Sequence, residues 1–529
     1  MPKETPAARI QRIKTEKSGL DVLADIKRYA ADSSIELDPE DIDRFKWYGL
    51  YSQNKNLQPQ GDENLYFMLR VKLEKGSINI EQMREVAKIS HEFTKETATL
   101  TTRQDVQFHN VAVKNLPEIF ERLQSVGLST VFAAGDVPRN VASCPVMGID
   151  HDEIVDVNDT ISAVNDYFRG NRDLANLPRK YKVGISACSK HCIGHEIQDL
   201  SFTAVKKDDT VLFDVSVGGG LASNKEIATH IGYVTQEQIL DVVKVVSIIY
   251  KDHGLREKRN KARLGHLIAE WGIEKFTEEI ENNLDFKLID TQEQNYTAYA
   301  KREHFGVHSS TLENHSYIGC AINAGKIGAK GFENLANAIE KAGATVVKIT
   351  STQNFIVTDV PNENIDSLVQ ELDSYQMISN PSPFRARTLA CTGLDFCKFA
   401  ISETKGQAIK LTEYLEKRFP DFKDTLSVSF NGCPNSCAHP HIVNIGFVGT
   451  KVKDLEGNSI PGFTLILGGN LEGNKSNFGE KTKIKMRPDQ VNAVVEKIIL
   501  AYQNSNHTVL HHFMKEVSSD TEFYSSLVE

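Results

Sequence analysis

Residues 101–111, TTRQDVQFHNV, can be laid on residues 350–360, TSTQNFIVTDV, without a gap and at an offset of 249. Each copy follows an apolar run that predicts a strand and an amphipathic stretch that predicts a helix: 66–71 and 80–93 in the first copy, 318–322 and 332–342 in the second. The chain is therefore expected to contain one strand–helix–strand unit twice.

A second pair of segments repeats at nearly the same distance. Residues 185–202, ISACSKHCIGHEIQDLSF, align with 430–447, FNGCPNSCAHPHIVNIGF, at an offset of 245, and two cysteines coincide. Near-constant offsets over several landmarks predict two homologous halves, related by a pseudo-twofold axis, with a cavity at their junction. Residues 226–264 are predicted to be largely helical, and 488–504 to form a closing amphipathic helix.

Composition limits the classes of function. The 529 residues are 40% apolar and 25% charged, which is typical of a globular protein of two to four domains. No apolar run approaches the length of a membrane span, and residues 1–19 lack the apolar core of a secretory signal, so we expect a cytoplasmic protein. The net charge of −10 argues against nucleic acid and membranes as partners.

Four of the eight cysteines lie in two short motifs. Cys391 and Cys397 form C-x5-C, and Cys433 and Cys437 form C-x3-C. Four thiolates are suited to an iron–sulfur cluster or to zinc. Structural zinc usually uses a tighter C-x2-C pair, which neither motif has, so the spacing favours a cluster over zinc and over four unliganded cysteines.

These motifs carry a resemblance to a known family. Residues 391–406, CTGLDFCKFAISETKG, and 431–449, NGCPNSCAHPHIVNIGFVG, resemble the signature of siroheme-dependent sulfite and nitrite reductases, and the similarity extends from about Phe45 to Asn504. The resemblance implies that the four cysteines hold a [4Fe-4S] cluster and that Cys437 also bridges to the siroheme iron. It implies a duplicated α/β (α+β) fold with ferredoxin-like half-domains and siroheme-binding α/β domains.

The resemblance and the repeat together predict five segments. A wrapping N-terminal segment is followed, in each half, by a ferredoxin-like half-domain and a larger domain. The second large domain would carry the cluster. The expected bounds are 1–62, 63–125, 126–300, 301–379 and 380–529.

An anionic cofactor and an oxyanion substrate require a cationic site. In the family, cations surround the oxyanion on the open face of siroheme, and the matching residues here are Arg103, Arg139, Lys180 and Lys182. The two lysines are predicted to share one side of a strand that begins after Pro178. Arg385 and Arg387 are candidates for the porphyrin carboxylates. For any one of these residues taken alone, a solvated surface charge is the alternative.

Two features disagree about the substrate. The cluster loops look like those of the nitrite branch, whereas sulfite reductases carry a lysine at the position of Lys182 and plant-type nitrite reductases generally carry asparagine. Because sulfite brings up to two negative charges and three oxygens, Lys182 favours sulfite, with nitrite as the alternative.

The sequence contains no nucleotide fingerprint and no flavin domain, so the electrons are expected from ferredoxin or another small electron-transfer protein. A candidate docking patch for it contains Lys475, Lys481, Lys483, Lys485 and Arg487.

Two further alternatives remain at this point. A non-catalytic electron-transfer or sensor protein would need the four cysteines but not the cations, so the cations favour an enzyme. A second metal site is also imaginable, because three first-half cysteines align with Cys391, Cys433 and Cys437, and Asp150 or His151 falls opposite Cys397. We expect one cluster only, since a second would occupy the substrate face. The three first-half cysteines, Cys144, Cys188 and Cys192, would then be buried relics of duplication.

Overall fold

The computed structural model describes residues 4–527 except 56, 57, 59, 60, 63, 189–191, 208, 291–303 and 472–474. Within these residues the chain forms four β-sheets, two small and two large modules with flanking helices. No helix among them combines the length and the apolar character that crossing a bilayer requires.

The N-terminal segment leads into the first small module. Its helices contact distant parts of the chain: the Lys14 ammonium donates to the Leu177 carbonyl at 2.8 Å, and the Trp47 indole donates to the Ala175 carbonyl at 2.8 Å. The segment and module contain α1 (Pro6–Glu16), α2 (Leu23–Ala31), α3 (Pro39–Arg44), β1 (Leu50–Ser52), β2 (Tyr66–Val71), β3 (Ser77–Asn79), α4 (Ile80–Phe93), β4 (Ala98–Leu100), β5 (Val106–Ala112) and α5 (Leu116–Ser125). The predicted strand 66–71 and helix 80–93 are confirmed, and Asn79 and Gln82 cap the helix reciprocally.

The first large module has three parallel strands continued by two antiparallel ones. Its elements are β6 (Ala142–Ser143), α6 (Asn158–Phe168), β7 (Val183–Ser186), β8 (Leu200–Lys207), β9 (Thr210–Val217), β10 (Thr229–Val234), α7 (Ile239–His253), α8 (Leu264–Trp271) and α9 (Ile273–Asn282). The largely helical prediction for 226–264 is wrong at its start. There, β-branched and aromatic residues form β10, which extends the sheet by pairing with β9.

The second small module repeats the first. It contains β11 (Gly306–Ser309), β12 (His315–Cys320), α10 (Gly328–Lys341), β13 (Val346–Ile349), β14 (Phe355–Pro361) and α11 (Ile365–Ser374). The predicted second strand and helix are present as β12 and α10, each beginning earlier than expected. Strand β3 of the first module pairs with β13 of the second, and one hydrophobic core spans both. The small modules are therefore a single folded body.

The second large module repeats the first large one. Its elements are α12 (Pro383–Ala386), β15 (Thr388–Ala390), α13 (Lys405–Arg418), β16 (Val428–Asn431), β17 (Ile445–Lys453), β18 (Ser459–Leu467), β19 (Glu480–Met486), α14 (Val491–Gln503), α15 (Leu510–Val517) and α16 (Thr521–Ser526). Strands β15 to β19 have the order and directions of β6 to β10. Helix α14 is the predicted amphipathic helix, but α15 and α16 follow it, so it does not close the fold.

Two glutamines link the halves reciprocally. The Gln104 amide accepts from the Ser143 N–H at 2.9 Å and donates to the carbonyls of Ser143 and, across the junction, Ile349. The Gln353 amide accepts from the Ala390 N–H at 3.0 Å and donates to the carbonyls of Ala390 and, across the junction, Leu100. Both residues are buried and have positive φ. The predicted pseudo-twofold relation is thus confirmed by equivalent side chains.

We expect Gln353→Ala to lower the free energy of unfolding by about 3 kcal/mol, because each buried backbone group left without a partner costs about 1–3 kcal/mol. The matched control is Gln376→Ala: Gln376 has the same φ of 62° but is exposed, so only the backbone strain is shared. Urea unfolding followed by circular dichroism measures both. Equal losses would show that the crossed hydrogen bonds contribute little.

Candidate functional site

Each small module sends a loop onto a cysteine loop of the opposite half. The Thr102 hydroxyl donates to the Cys437 carbonyl at 3.1 Å. At the equivalent position, the Ser351 hydroxyl donates to the Cys192 carbonyl at 3.0 Å. The two contacts obey the sequence offsets, so both cysteine loops lie at the junction of the halves.

The four predicted cluster cysteines lie in two loops, 391–397 after β15 and 433–437 after β16. Burial raises the pKa of the Cys391 thiol to about 12, and the charge of Cys437 adds to the rise. Burial also raises the pKa of Cys397 and of Cys433, again with a contribution from Cys437. Cys437 itself is exposed, and the Gly432 N–H donates to the Cys391 sulfur at 3.2 Å. The structure therefore brings the four thiols into one neighbourhood.

The first small module holds these loops in place. The His109 imidazole stacks on Phe396 with ring centroids 4.2 Å apart, and the Gln107 amide donates to the Thr392 hydroxyl at 3.0 Å. Burial lowers the pKa of His109 to about 3, so this histidine packs as a neutral ring. The cysteine loops of the second half are thus shaped by side chains of the first.

Arg103 is buried beside the first large module. Its guanidinium donates to the Gln198 side-chain oxygen at 2.6 Å and to the Val183 carbonyl at 2.5 Å. Burial lowers the pKa of Arg103 to about 10, and the carboxylates of Asp105 and Asp199 oppose the shift. Its Nε has no hydrogen-bond partner in the described residues.

Arg139 shares a backbone acceptor with Arg70, an arginine that the sequence patterns did not single out. Arg139 and Arg70 both donate to the Ala133 carbonyl, at 3.0 and 3.3 Å, and Arg139 also reaches the Tyr51 hydroxyl at 3.3 Å. The Nε of each arginine has no partner among the residues described. A single arginine within the apolar run YFMLRV was the available signal for Arg70.

Lys180 and Lys182 lie just before β7, which begins at Val183, so the predicted strand starts later than expected. The reason is that in this stretch only Tyr181 makes a bridge, to Pro138. Burial lowers the pKa of Lys180 to about 7; Arg263, Arg179 and Arg139 lower it further, and Cys437 opposes them.

Burial also lowers the pKa of Lys182 well below its ordinary value, and the charges of Lys180 and Arg103 add to this. The four predicted cations, Arg103, Arg139, Lys180 and Lys182, are therefore neighbours, and we call them the cation group.

A buried ion pair between Asp199 and Arg263 adjoins the cation group. Asp199 accepts from the Arg263 guanidinium through both carboxylate oxygens, at 2.7 Å each. The same carboxylate accepts from the Lys182 backbone N–H at 2.8 Å. Asp199 thus fixes the backbone at Lys182 while neutralising Arg263. No local sequence pattern singles out Arg263.

His439 connects the cation group to the cysteine loops. It follows Cys437 by two residues and has a positive φ of 61°. Burial lowers its pKa to about 3, and the charges of Lys182, Arg103 and Lys180 contribute in that order. Among the described residues, Asp105 and Asp199 oppose these cations but are fewer than them, so the arrangement is suited to binding a multiply charged anion beside the Cys437 loop.

The other two predicted arginines have different surroundings. Arg385 donates to both carboxylate oxygens of Glu416, at 2.9 Å each, within the second large module. Arg387 is buried and lines a cavity together with His439, Thr352 and Asn470. Contact of either arginine with a porphyrin carboxylate stays a prediction.

Family models match most of the chain. A model described as "Nitrite and sulphite reductase 4Fe-4S domain" matches residues 134–288 and 384–521, and one described as "Nitrite/Sulfite reductase ferredoxin-like half domain" matches 58–126 and 311–375. The chain belongs to the nitrite and sulfite reductase family. The expected duplicated fold is confirmed, since both models match once in each half.

Relatives of both types are similar over nearly the full length. The sulfite reductase [ferredoxin] of Mycobacterium tuberculosis is 35% identical over 92% of this chain and 91% of the relative. The ferredoxin–nitrite reductase of Synechococcus elongatus is 29% identical over 93% of this chain and 96% of the relative. The solved structure of the Mycobacterium tuberculosis NirA protein superposes with a TM-score of 0.89 and 32% identity, covering 97% of this chain and 96% of that one.

Siroheme and a [4Fe-4S] cluster are therefore the cofactors of this protein. The residues present fit both groups. The unpartnered guanidinium nitrogens of Arg70, Arg103 and Arg139 are buried donors suited to carboxylates. The two loops with four neighbouring thiols suit a cluster.

We expect Asp199→Asn to destabilise the first large module by about 3–5 kcal/mol, because it leaves the Arg263 charge buried without a partner. The control is Glu416→Gln, which breaks the bidentate pair with Arg385, where Glu416 is 25% exposed, and should cost less. Thermal unfolding of the purified variants measures both. A loss for Asp199→Asn no greater than for the control would contradict a structural role for the buried pair.

Proposed function

We propose that this member of the nitrite and sulfite reductase family reduces sulfite to sulfide with six electrons from a separate protein such as ferredoxin. The observation that carries the proposal is the position of Lys182 inside the cation group, beside Lys180 and Arg103. The reaction would take place in the cytoplasm, because the exposed thiol of Cys437 requires a reducing compartment.

The charge of the substrate favours sulfite. Sulfite brings up to two negative charges and three oxygens, whereas nitrite brings one charge and two oxygens. An additional buried cation therefore stabilises bound sulfite more than bound nitrite. The higher identity to a sulfite reductase [ferredoxin], 35% against 29% for a ferredoxin–nitrite reductase, points the same way. The sequence of the cysteine loops favours nitrite, which is the second candidate.

We assign Cys391, Cys397, Cys433 and Cys437 to the cluster and Cys437 to the bridge with siroheme. The effect of Cys437 on the pKa of the other three thiols supports this assignment. Its carbonyl is held by Thr102, so the position of Cys437 depends on both halves. When bound, siroheme and the cluster would carry electrons from the donor protein to the substrate.

The cation group would orient the oxyanion and supply protons. Arg103 and Arg139 are held by backbone and side-chain acceptors, so they present fixed positive charge. Lys180, with a pKa of about 7, can donate a proton to a departing oxygen near neutral pH and regain one from solvent. Each oxygen leaves as water only after it has been protonated, so a donor of this pKa suits the reaction.

An edge strand offers a docking surface for the electron donor. Lys481, Lys483 and Lys485 are exposed on β19, alternating with less exposed residues, at the edge of the module that carries the cysteine loops. Lys475 is also exposed, whereas Arg487 is paired with Asp489 at 2.9 Å. We infer that the lysine row attracts an acidic partner despite the net negative charge of the chain.

Steady-state reduction of sulfite and nitrite with reduced methyl viologen tests the proposed activity. We expect Lys182→Asn to lower kcat/KM for sulfite about 10- to 100-fold, because a charged hydrogen bond contributes about 1.5–3 kcal/mol, and to lower that for nitrite much less. The matched variant Lys180→Asn should affect both substrates similarly. Equal losses for Lys182→Asn would remove the argument for sulfite, and no turnover of either substrate would favour a non-catalytic protein.

The proposed docking surface predicts that charge reversal on β19 changes turnover with one electron donor and not with the other. Reversing Lys481, Lys483 and Lys485 to Glu should slow ferredoxin-driven turnover about tenfold or more at low ionic strength and leave methyl viologen-driven turnover unchanged. The control reverses three exposed lysines elsewhere in the same module: Lys410, Lys417 and Lys423. If both triple variants lose ferredoxin-driven activity equally, the effect is one of net charge and β19 is not the docking site.

A further inference from the structure

Three cysteines of the first half converge in its core. The sulfur atoms of Cys144, Cys188 and Cys192 all lie within 4.8 Å of one another, and Cys144 shares hydrogen bonds with both of the others. All three are buried. In the part of the chain that the structure describes, no other group of cysteine, histidine and carboxylate ligands is as compact.

A histidine from another part of the chain lies beside the group, in contact with one of its three sulfurs. The Nε2 atom of His304 lies 3.5 Å from the Cys192 sulfur, and its Nδ1 lies 3.9 Å from a carboxylate oxygen of Asp150. The Tyr317 hydroxyl in turn hydrogen-bonds Asp150. Gly319 allows the backbone of His304 to pass close to β12, because a Cβ at position 319 would lie 1.7 Å from the His304 carbonyl oxygen.

We propose that Cys144, Cys188, Cys192 and His304 bind one Zn²⁺ ion in a tetrahedral site, with Asp150 orienting the imidazole. Three thiolates and one imidazole form a standard structural zinc shell. Soft sulfur ligands in tetrahedral arrangement select zinc over magnesium, calcium or manganese. A carboxylate on the far nitrogen of a ligating histidine is the usual second partner in such sites.

The spacing of the sulfurs favours one ion over a second cluster. Zinc–sulfur bonds of about 2.3 Å place the sulfurs of a tetrahedral site about 3.8 Å apart, which is inside the 4.8 Å within which the three sulfurs lie. In a cubane cluster each cysteine binds a different iron, so the sulfurs are further apart. The cysteines of 391–397 and 433–437 are described throughout, and no three of their sulfurs converge within 4.8 Å. The halves therefore differ in the kind of metal that their cysteines suit.

The proposed site is an alternative to the expectation that these cysteines are buried relics of duplication. Apolar packing alone gives no reason for three thiols to meet an imidazole already paired with a carboxylate. Three buried thiolates require a cation, which Zn²⁺ supplies.

The location suggests a structural role. The cysteines belong to the first large module, whereas His304 lies two residues before β11 of the second small module. The Ser351 hydroxyl holds the Cys192 carbonyl, as Thr102 holds that of Cys437. The ion would therefore occupy the pseudo-twofold mate of the cluster position and join the two halves. This inference does not depend on which oxyanion the enzyme reduces.

Elemental analysis of the untagged holoenzyme tests the site. We expect about one zinc per chain beside about five iron atoms, from siroheme and one cluster. Cys144→Ser and His304→Ala should each lower zinc at least fivefold while siroheme absorption and iron content persist. The matched control is Cys320→Ser, which changes a buried cysteine outside the group and should keep its zinc.

X-ray absorption at the zinc edge of the wild-type holoenzyme covers the case in which the variants do not fold. Three sulfur neighbours at about 2.3 Å and one nitrogen at about 2.0–2.1 Å would support the site. Three results would overturn it: wild-type protein without zinc, zinc surrounded only by nitrogen and oxygen, or about eight or nine iron atoms per chain, which would indicate a second cluster.

Discussion

The crossed hydrogen bonds of Gln104 and Gln353 are the constraint on which the rest of the structure depends. Each side chain joins the first strand of a large module to a strand end of the opposite small module. Their neighbours in sequence, Arg103 and Thr352, are held at the junction by the same loops. Both loops have a positive φ at the glutamine, so their backbone conformation is fixed locally. The positions of the neighbouring side chains, Arg103 and Thr352, follow from that conformation.

The second governing feature is an excess of buried positive charge. Asp199 and Asp105 offset part of the charge of Arg103, Lys182 and Arg263. Burial still lowers the pKa of Lys180 and of Lys182. Buried charges of one sign are retained in a folded protein when a bound ligand of opposite charge offsets their unfavourable free energy. At the proposed site an anionic porphyrin and an oxyanion would do so, which would couple the free energy of folding to the binding of cofactor.

Local patterns in the sequence predicted the repeated elements because periodicity and capping act over short distances. Helix 80–93 and strand 66–71 have the predicted bounds, whereas β10 was missed because its register depends on pairing with β9. In the site, too, sequence patterns predicted only the residues that lie in short motifs. The cysteine loops carry short motifs, but Arg70 and Arg263 act through carbonyls and carboxylates brought near only by the fold. His304 lies 112 residues after Cys192, and no spacing rule connects them.

The two halves repeat one arrangement of strands, but under the proposed assignment they would not carry the same centre. If Cys437 holds siroheme from the second half, the oxyanion would bind at the face of the site formed by the first half, where the loops of the cation group lie. A second cluster in the equivalent position would compete with the oxyanion for that face. The first half therefore keeps three aligned cysteines but draws them inward, 3% to 7% exposed, where Cys437 of the second half is exposed. A single ion at the proposed site is much smaller than a cluster, so it would satisfy those thiols and still leave Arg139, Lys180 and Lys182 available for the anion.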